Sequence, residues 1–287
     1  MSTYAVTGAT GHLGALAIDA LLERGVAPAD IVAIVRTPAR ADELARRGVT
    51  VRAGDYSRPD TLPAALAGVD VLLLVSGNEL GQRVAQHGAV IEAAKGAGVA
   101  RIAYTSVLRA DTSPVVLAPE HRGTEQVLQA SGVPFTILRN GWYTENYAAQ
   151  IGDYLARGAI VGAAGDGRVS AASRADYAAA AAAVLIGDGH DNAIYELGGP
   201  AFSLKELAAV LAELSGTDVV YRDLSVAELT EVLVGAGLDE STARFVAALD
   251  EAVARGDLYT DSSDLARLIG RPATPLADVI RTALDSR

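Results

Sequence analysis

Tyr4-Ala-Val-Thr-Gly-Ala-Thr-Gly-His-Leu-Gly14 decides how the rest of this chain is read. Strand-forming residues run straight into glycines at 8, 11 and 14, and an apolar helical pattern follows at once. The order predicts a strand, a tight turn and a helix start. Gly8 permits the sharp turn, Gly11 lets backbone approach a pyrophosphate, and Gly14 lets the helix pack on the strand. The unpaired N–H groups and positive end of that helix then face an anion. A dinucleotide is the expected ligand, and an unliganded tight turn is the alternative.

Outward from this motif, strand patterns fall near 3–7, 31–36, 50–54, 70–75, 101–105 and 134–138. Helical patterns lie between them near 12–24, 39–47, 60–67, 82–97 and 120–131. This alternation predicts an α/β fold, a Rossmann-type doubly wound parallel sheet with right-handed crossovers. Ligands on such a sheet sit at the carboxyl ends of the strands, so the residues just after each strand carry the functional reading. The second strand, Ile31-Val-Ala-Ile-Val-Arg36, ends in arginine, with Thr37 and Arg40 beyond. NAD binders usually place Asp or Glu here for the ribose 2′-hydroxyl. An arginine fork suits a 2′-phosphate, which a carboxylate would repel. NADP is therefore favoured over NAD; a solvent-facing arginine is the other reading.

The G-x-x-G-x-x-G spacing of the turn resembles that of short-chain dehydrogenases and reductases. In that family an Asp at the position of Asp55 often meets the adenine amino group; a helix cap is the equal alternative. Ser76-Gly77-Asn78 follows the fourth strand and should run under the nicotinamide ribose. After the fifth strand, Tyr104-Thr-Ser106, the family continues with a Tyr-x-x-x-Lys helix whose tyrosine is the general acid. Here that helix reads Leu117-Ala-Pro-Glu-His121-Arg-Gly-Thr-Glu125. Alignment on Glu125 puts Leu117 at the tyrosine and His121 at the lysine, so no residue is assigned as the acid. Ser106 alone reads as structural. His121 is either a ribose or substrate contact or a partly exposed helix histidine. His87 reads as a packing or surface residue, His12 as part of the glycine turn and His190 as a turn residue. No metal-ligand spacing and no G-x-S-x-G elbow occurs, which sets aside metalloenzyme and hydrolase readings.

The sixth strand runs into Arg139-Asn140-Gly-Trp-Tyr-Thr-Glu-Asn-Tyr147, with three aromatics in a chain of one Trp, ten Tyr and three Phe. Such a loop at the cofactor's reactive end can wall a nicotinamide and stack on a flat substrate; a hydrophobic anchor for a second lobe is the alternative. Residues 158–167 read as a glycine-rich connection. Asp176 reads as the N-cap of the following Ala-rich helix, and Arg174 as a phosphate or substrate contact or a surface charge. A strand near 218–222 and helices near 203–214, 225–235, 239–255 and 275–285 make up the rest.

The absence of cysteine removes disulfides, thiolate catalysis and thiolate-held metals. A formal net charge of −11 and no basic stripe argue against nucleic-acid binding. The longest apolar run, Tyr177–Ile186, is too short for a bilayer. Met-Ser-Thr leads directly into a strand, so no signal peptide is expected and the cytoplasm is the expected location.

Together these segments resemble the NmrA-like, atypical short-chain dehydrogenases, and within them the NADPH-dependent quinone oxidoreductases. The resemblance is most specific in Arg139-Asn-Gly-Trp-Tyr-Thr-Glu-Asn-Tyr147 and Gly162-Ala-Ala-Gly-Asp-Gly167. It implies NADPH along Gly8, Ala9, Thr10, Gly11, His12, Leu13, Arg36, Ser76, Gly77, Asn78, Asn140, Gly141, Trp142, Tyr143, Thr144, Glu145 and Arg174. It implies a quinone beside Trp142, Tyr143 and His121. A nucleotide domain over 1–157, with segments near 159–200 interleaved, and a smaller, mostly helical substrate lobe over 200–287 are expected; nothing fixes an oligomeric state. The missing tyrosine suits this activity. Ketone reduction makes an alkoxide that needs a positioned acid, whereas quinone reduction makes a phenolate-like anion with a pKa near 10. A noncatalytic NADP(H) sensor, as the NmrA namesake is, and a reductase of another conjugated acceptor are the rivals. His121 at the lysine position argues against the isoflavone-reductase-like branch.

Overall fold

Near-continuous apolar runs make strands that are covered on both faces. In the computed structural model, which describes residues 2–287, this accounts for the central sheet. Its strands are β1 (Tyr4–Thr7), β2 (Ile31–Val35), β3 (Thr50–Ala53), β4 (Val71–Leu74), β5 (Arg101–Val107) and β6 (Phe135–Asn140). β2 and β4 are buried at every position. β7 (Ala159–Gly162), β8 (Ala193–Leu197) and β9 (Val220–Asp223) follow. The main sheet has the order β3-β2-β1-β4-β5-β6-β8 with all neighbours parallel. The order reverses between β1 and β4, which opens a crevice at their carboxyl ends.

Alternate residues of one strand feed opposite cores: Val6 packs with Ile18, Leu21, Tyr177 and Val184, and Ala5 with Leu66, Ile91 and Leu128. The first layer is formed by helices His12–Glu23 and Arg174–Ile186, the second by Leu62–Leu66, Arg83–Gly96 and Ala118–Ala130. A third core joins Tyr147, Tyr154, Ile160, Phe202, Leu207 and Val253. It is built mainly from helices Ile151–Arg157, Leu204–Ser215 and Glu240–Ala254 and the two-stranded sheet β7-β9. Leu265 and Ala273, late in the chain, return to the first core.

Three local expectations need correction. The stretch read as a glycine-rich connection contains β7, which pairs in parallel with β9. Ala193–Leu197, absent from the expected strands, is the seventh strand of the main sheet, against β6. The cap of the Ala-rich helix is Ser173, whose side chain accepts from the Asp176 N–H at 3.0 Å. Asp176 is fully buried and instead accepts from Thr274 and from Arg271, 2.8 Å away.

Candidate active site

The glycine turn leaves donors unspent. Gly8 has φ +59°, and the Gly11 N–H closes the turn on the Gly8 carbonyl at 2.8 Å. Gly11 caps the helix with no side-chain hydrogen bond, and the first turn holds no acidic residue. The first N–H groups of the helix, from His12 onward, therefore keep their hydrogens for an outside acceptor. A Cβ on Gly14 would lie 2.3 Å from the Gly8 carbonyl oxygen, so only glycine lets the helix seat against the turn. Gly8, Thr10, Gly11 and His12 are exposed at this edge, while Ala9 and Leu13 are buried beneath it. Arg36, after β2, extends into solvent with its side chain 72% exposed and 3.7 Å from Glu79. An exposed pair of this kind contributes little, so the guanidinium is available to a phosphate. Asp55 turns inward to its own loop and accepts from the Ser57 N–H at 2.9 Å.

The segment after β4 is pinned from below. The Ser76 N–H donates to Thr105 Oγ1 at 2.9 Å, the Gly77 N–H to His87 Nε2 at 2.9 Å, and Arg83 Nε to the Gly77 carbonyl at 2.9 Å. Tyr56 OH lies within hydrogen-bond distance of both Thr7 Oγ1 and the Val75 carbonyl. His87 is thus a fully buried backbone anchor of the expected ribose segment, which sequence reasoning missed. Its other nitrogen lies 3.1 Å from Thr124 Oγ1. Burial and the neighbouring Arg83 charge lower the His87 pKa to about 3, so the ring is neutral at physiological pH.

His121 is buried in the first turn of helix Ala118–Ala130, with Nδ1 2.8 Å from Tyr104 OH. Burial, Arg83 and His87 hold its pKa at about 3. Burial raises the Tyr104 phenol well above its usual range. Leu117 is the N-cap of this helix and packs against the third core. Ser106 is structural, as expected: its hydroxyl donates to Glu125 Oε1 at 2.6 Å. Glu125 in turn holds Arg139 through two bonds of 3.0 and 2.7 Å, and Arg139 also reaches Glu196 and Asp111.

The segment after β6 turns across the same edge. Asn140 is buried with Oδ1 fully occluded and unpartnered, and Glu145 Oε2 is in the same state. The Gly141 N–H donates to the Leu197 carbonyl at 2.7 Å and the Thr144 N–H to the Ala172 carbonyl at 3.0 Å. Trp142 and Tyr143 are both half-buried but part company. Trp142 packs on the third core, while Tyr143 packs on the first. Its ring meets Tyr177 edge-on at 5.5 Å under the Arg174 guanidinium, 4.6 Å from the centroid. Arg174 also donates to Asn146 Oδ1 at 2.7 Å and lies 3.8 Å from Glu145. Its charge is therefore used within the aromatic segment.

The carboxyl edge thus gathers the glycine turn, Arg36, Ser76–Asn78, His121 and Asn140–Glu145 along neighbouring strands. Among the described residues no group of side chains could hold a metal ion, and no helix is long and apolar enough to cross a membrane. A parallel sheet with an uncapped glycine turn at its switch point defines a Rossmann-type nucleotide-binding protein. The chain belongs to the NAD(P)H-binding family, whose model matches residues 8–186. It is 50% identical over 277 residues to quinone oxidoreductase 2 of Escherichia coli (strain K12), covering 96% of each chain. The crystal structure of the Escherichia coli NADPH-dependent quinone oxidoreductase complexed with NADPH matches with a TM-score of 0.95 and 49% identity, over 98% of this chain and 100% of that one. The Citrobacter sp. triphenylmethane reductase complexed with NADP(H) matches at 0.92 and 40% identity, over 98% and 99%.

Proposed function

We propose that this chain is an NADPH-dependent reductase that transfers hydride to quinones. The observation that carries the reading is a reacting edge without a usable acid. Leu117 stands where a tyrosine would be needed, and His121 is held neutral. Such an edge suits an acceptor whose reduced form is a weakly basic, phenolate-like anion. The near full-length likeness to a quinone oxidoreductase supports the same substrate class.

The residues fit the cofactor. Unspent N–H groups of helix His12–Glu23 receive the pyrophosphate, and the close Gly14–Gly8 packing keeps them at the edge. Arg36 meets the 2′-phosphate. Ser76–Asn78, fixed by Thr105, His87 and Arg83, support the nicotinamide ribose. Asn140, buried at the end of β6, fixes the start of the segment that turns across the nicotinamide side, while its Oδ1 stays sealed from the ligand. NADPH, when bound, supplies the hydride. Trp142 and Tyr143 wall the acceptor and exclude water, and positioning in a dry cleft supplies most of the rate. The proton that completes the hydroquinone comes from water.

Steady-state NADPH oxidation with 1,4-benzoquinone and larger quinones tests this reading. Saturable turnover is expected, with no reduction of simple unconjugated ketones. Tight NADPH binding without turnover of any quinone would favour a nucleotide sensor instead. NADPH is also expected to bind at least about ten-fold more tightly than NADH, because one charged contact is worth about 1.5–3 kcal/mol. Arg36→Asp is expected to flatten or reverse that preference in a titration of both cofactors. Equal affinities in the parent would remove Arg36 from the 2′-phosphate.

A further inference from the structure

We propose that Tyr104 locks His121 in the tautomer with hydrogen on Nε2, and that this N–H is a hydrogen-bond donor to the oxygen of the acceptor undergoing reduction. The donor role rests on the quinone-reductase reading above; the tautomer does not.

Hydrogen-bond bookkeeping fixes the tautomer. Tyr104 is fully buried; its hydroxyl pairs with His121 Nδ1 at 2.8 Å and has the Thr124 hydroxyl as its other polar neighbour. A buried O–H left without an acceptor is costly, so the phenol must donate and Nδ1 must accept. The Thr124 hydroxyl donates to the Glu120 carbonyl at 3.0 Å and accepts from His87 Nδ1–H at 3.1 Å, so its lone pairs are already drawn on, and His121 Nδ1 is the acceptor at direct hydrogen-bond distance from the phenol. A neutral imidazole that accepts at Nδ1 carries its hydrogen on Nε2.

His87 provides the contrast within the same cluster. A backbone N–H can only donate, so Gly77 makes His87 Nε2 an acceptor and places hydrogen on Nδ1, toward Thr124. Two buried histidines flanking one tyrosine ring, at centroid distances of 5.4 and 6.0 Å, are thus set in opposite tautomers.

The free end of His121 is reachable. Nε2 makes no hydrogen bond to another side chain or to backbone, yet the occluded orphan side-chain atoms among the described residues are Arg101 Nε, Asn140 Oδ1 and Glu145 Oε2. Nε2 is therefore not fully occluded, and it is the ring nitrogen left over for a ligand. Its ring lies against Tyr104, which is in register with Leu74, the last residue of β4 before the ribose segment. Hydride addition to a quinone leaves negative charge on a ring oxygen. A fixed neutral donor stabilises that charge without giving up its proton, because loss of Nε2–H would make an imidazolate. Water completes the hydroquinone, and Tyr104 acts as a positioning residue.

The test is ¹⁵N NMR of the histidine rings in the full chain without cofactor, near neutral pH, with His121→Gln used for assignment. The expected spectrum shows His121 with hydrogen on Nε2 and His87 with hydrogen on Nδ1. Tyr104→Phe should release the His121 tautomer and leave the His87 pattern intact. Hydrogen on His121 Nδ1, a charged His121, or an unchanged His121 in Tyr104→Phe would overturn the lock.

Kinetics then test the donor. His121→Phe is expected to lower kcat with 1,4-benzoquinone about ten- to hundred-fold, with the Kd for NADPH within about three-fold. His121→Gln, which keeps an N–H near the Nε2 position, should recover most of that loss. Parent-like kcat in His121→Phe, or no recovery in a folded His121→Gln, overturns the donor role. If the parent reduces no quinone, the donor role falls with the functional reading, while the NMR result still decides the tautomer.

Discussion

Glu125→Ala is expected to destabilise the protein by about 3–5 kcal/mol, a fall of roughly 10 °C in Tm. Glu125 is 3% exposed and Arg139 6%, and the two make a bidentate pair. Removal of the carboxylate leaves a guanidinium that cannot deprotonate in a site built for a partner. Ser106 loses its acceptor in the same step. Glu196 and Asp111 remain near Arg139 but are partly hydrated, at 27% and 60% side-chain exposure, and compensate only in part. The cluster also ties the strand ends together: Ser106 is the next-to-last residue of β5, Arg139 precedes Asn140 on β6, and Glu196 on β8 accepts from the Arg109 N–H at 2.9 Å. Quinone turnover per folded molecule should therefore fall as well. The double variant Glu125→Leu/Arg139→Met removes both buried charges at similar volume and is expected to regain much of the lost stability. Thermal melts of parent, single and double variants decide the matter. A loss below about 1 kcal/mol in Glu125→Ala would show that the pair is not isolated from water as the geometry requires.

The sheet was legible because its strands are short, unbroken apolar runs punctuated by helices that stop at glycine. Ile31–Val35 and Val71–Leu74 need no partner to be recognised. β8 does: only Tyr195 and Leu197 of Ala193–Leu197 are buried, because it is the edge strand beside β6. β7 is four residues that follow Gly158 and end on Gly162, and its pairing with β9 is not local. The same divide runs through the site. The glycine turn and Arg36 are local motifs, so residue types and spacing place them at the carboxyl ends of β1 and β2, where the structure has them. His87, Thr124, Tyr104 and His121 come from two helices and a strand, and meet only when β4 and β5 pair. Asp176 shows the failure most clearly. Ser173 and Asp176 are both good capping residues, three apart, and the winner was set by Thr274 and Arg271, far along the chain.

Tyr143→Ala is expected to cut kcat/KM for quinones about ten- to two-hundred-fold, the equivalent of about 1–3 kcal/mol in positioning and stacking. The prediction follows from how the structure divides the aromatic pair. Trp142 leans into the core of the second lobe and serves there as an anchor. Tyr143 stays half-buried at the edge of the first core, between Tyr177 and Arg174, directly after the Asn140 end of β6. Its ring contributes little that the helix Arg174–Ile186 cannot hold without it, since Tyr177 itself is fully buried. The variant should therefore melt within a few degrees of the parent, and its NADPH affinity should weaken less than its quinone turnover. Trp142→Ala is expected to behave in the opposite way, with the larger fall in Tm, because it opens a gap between the lobes. If Tyr143 is instead a hinge anchor, Tyr143→Ala will lose stability while each folded molecule keeps near-normal activity. Melting curves and quinone kinetics on the same preparation separate these outcomes, and the second one would take Tyr143 out of the site.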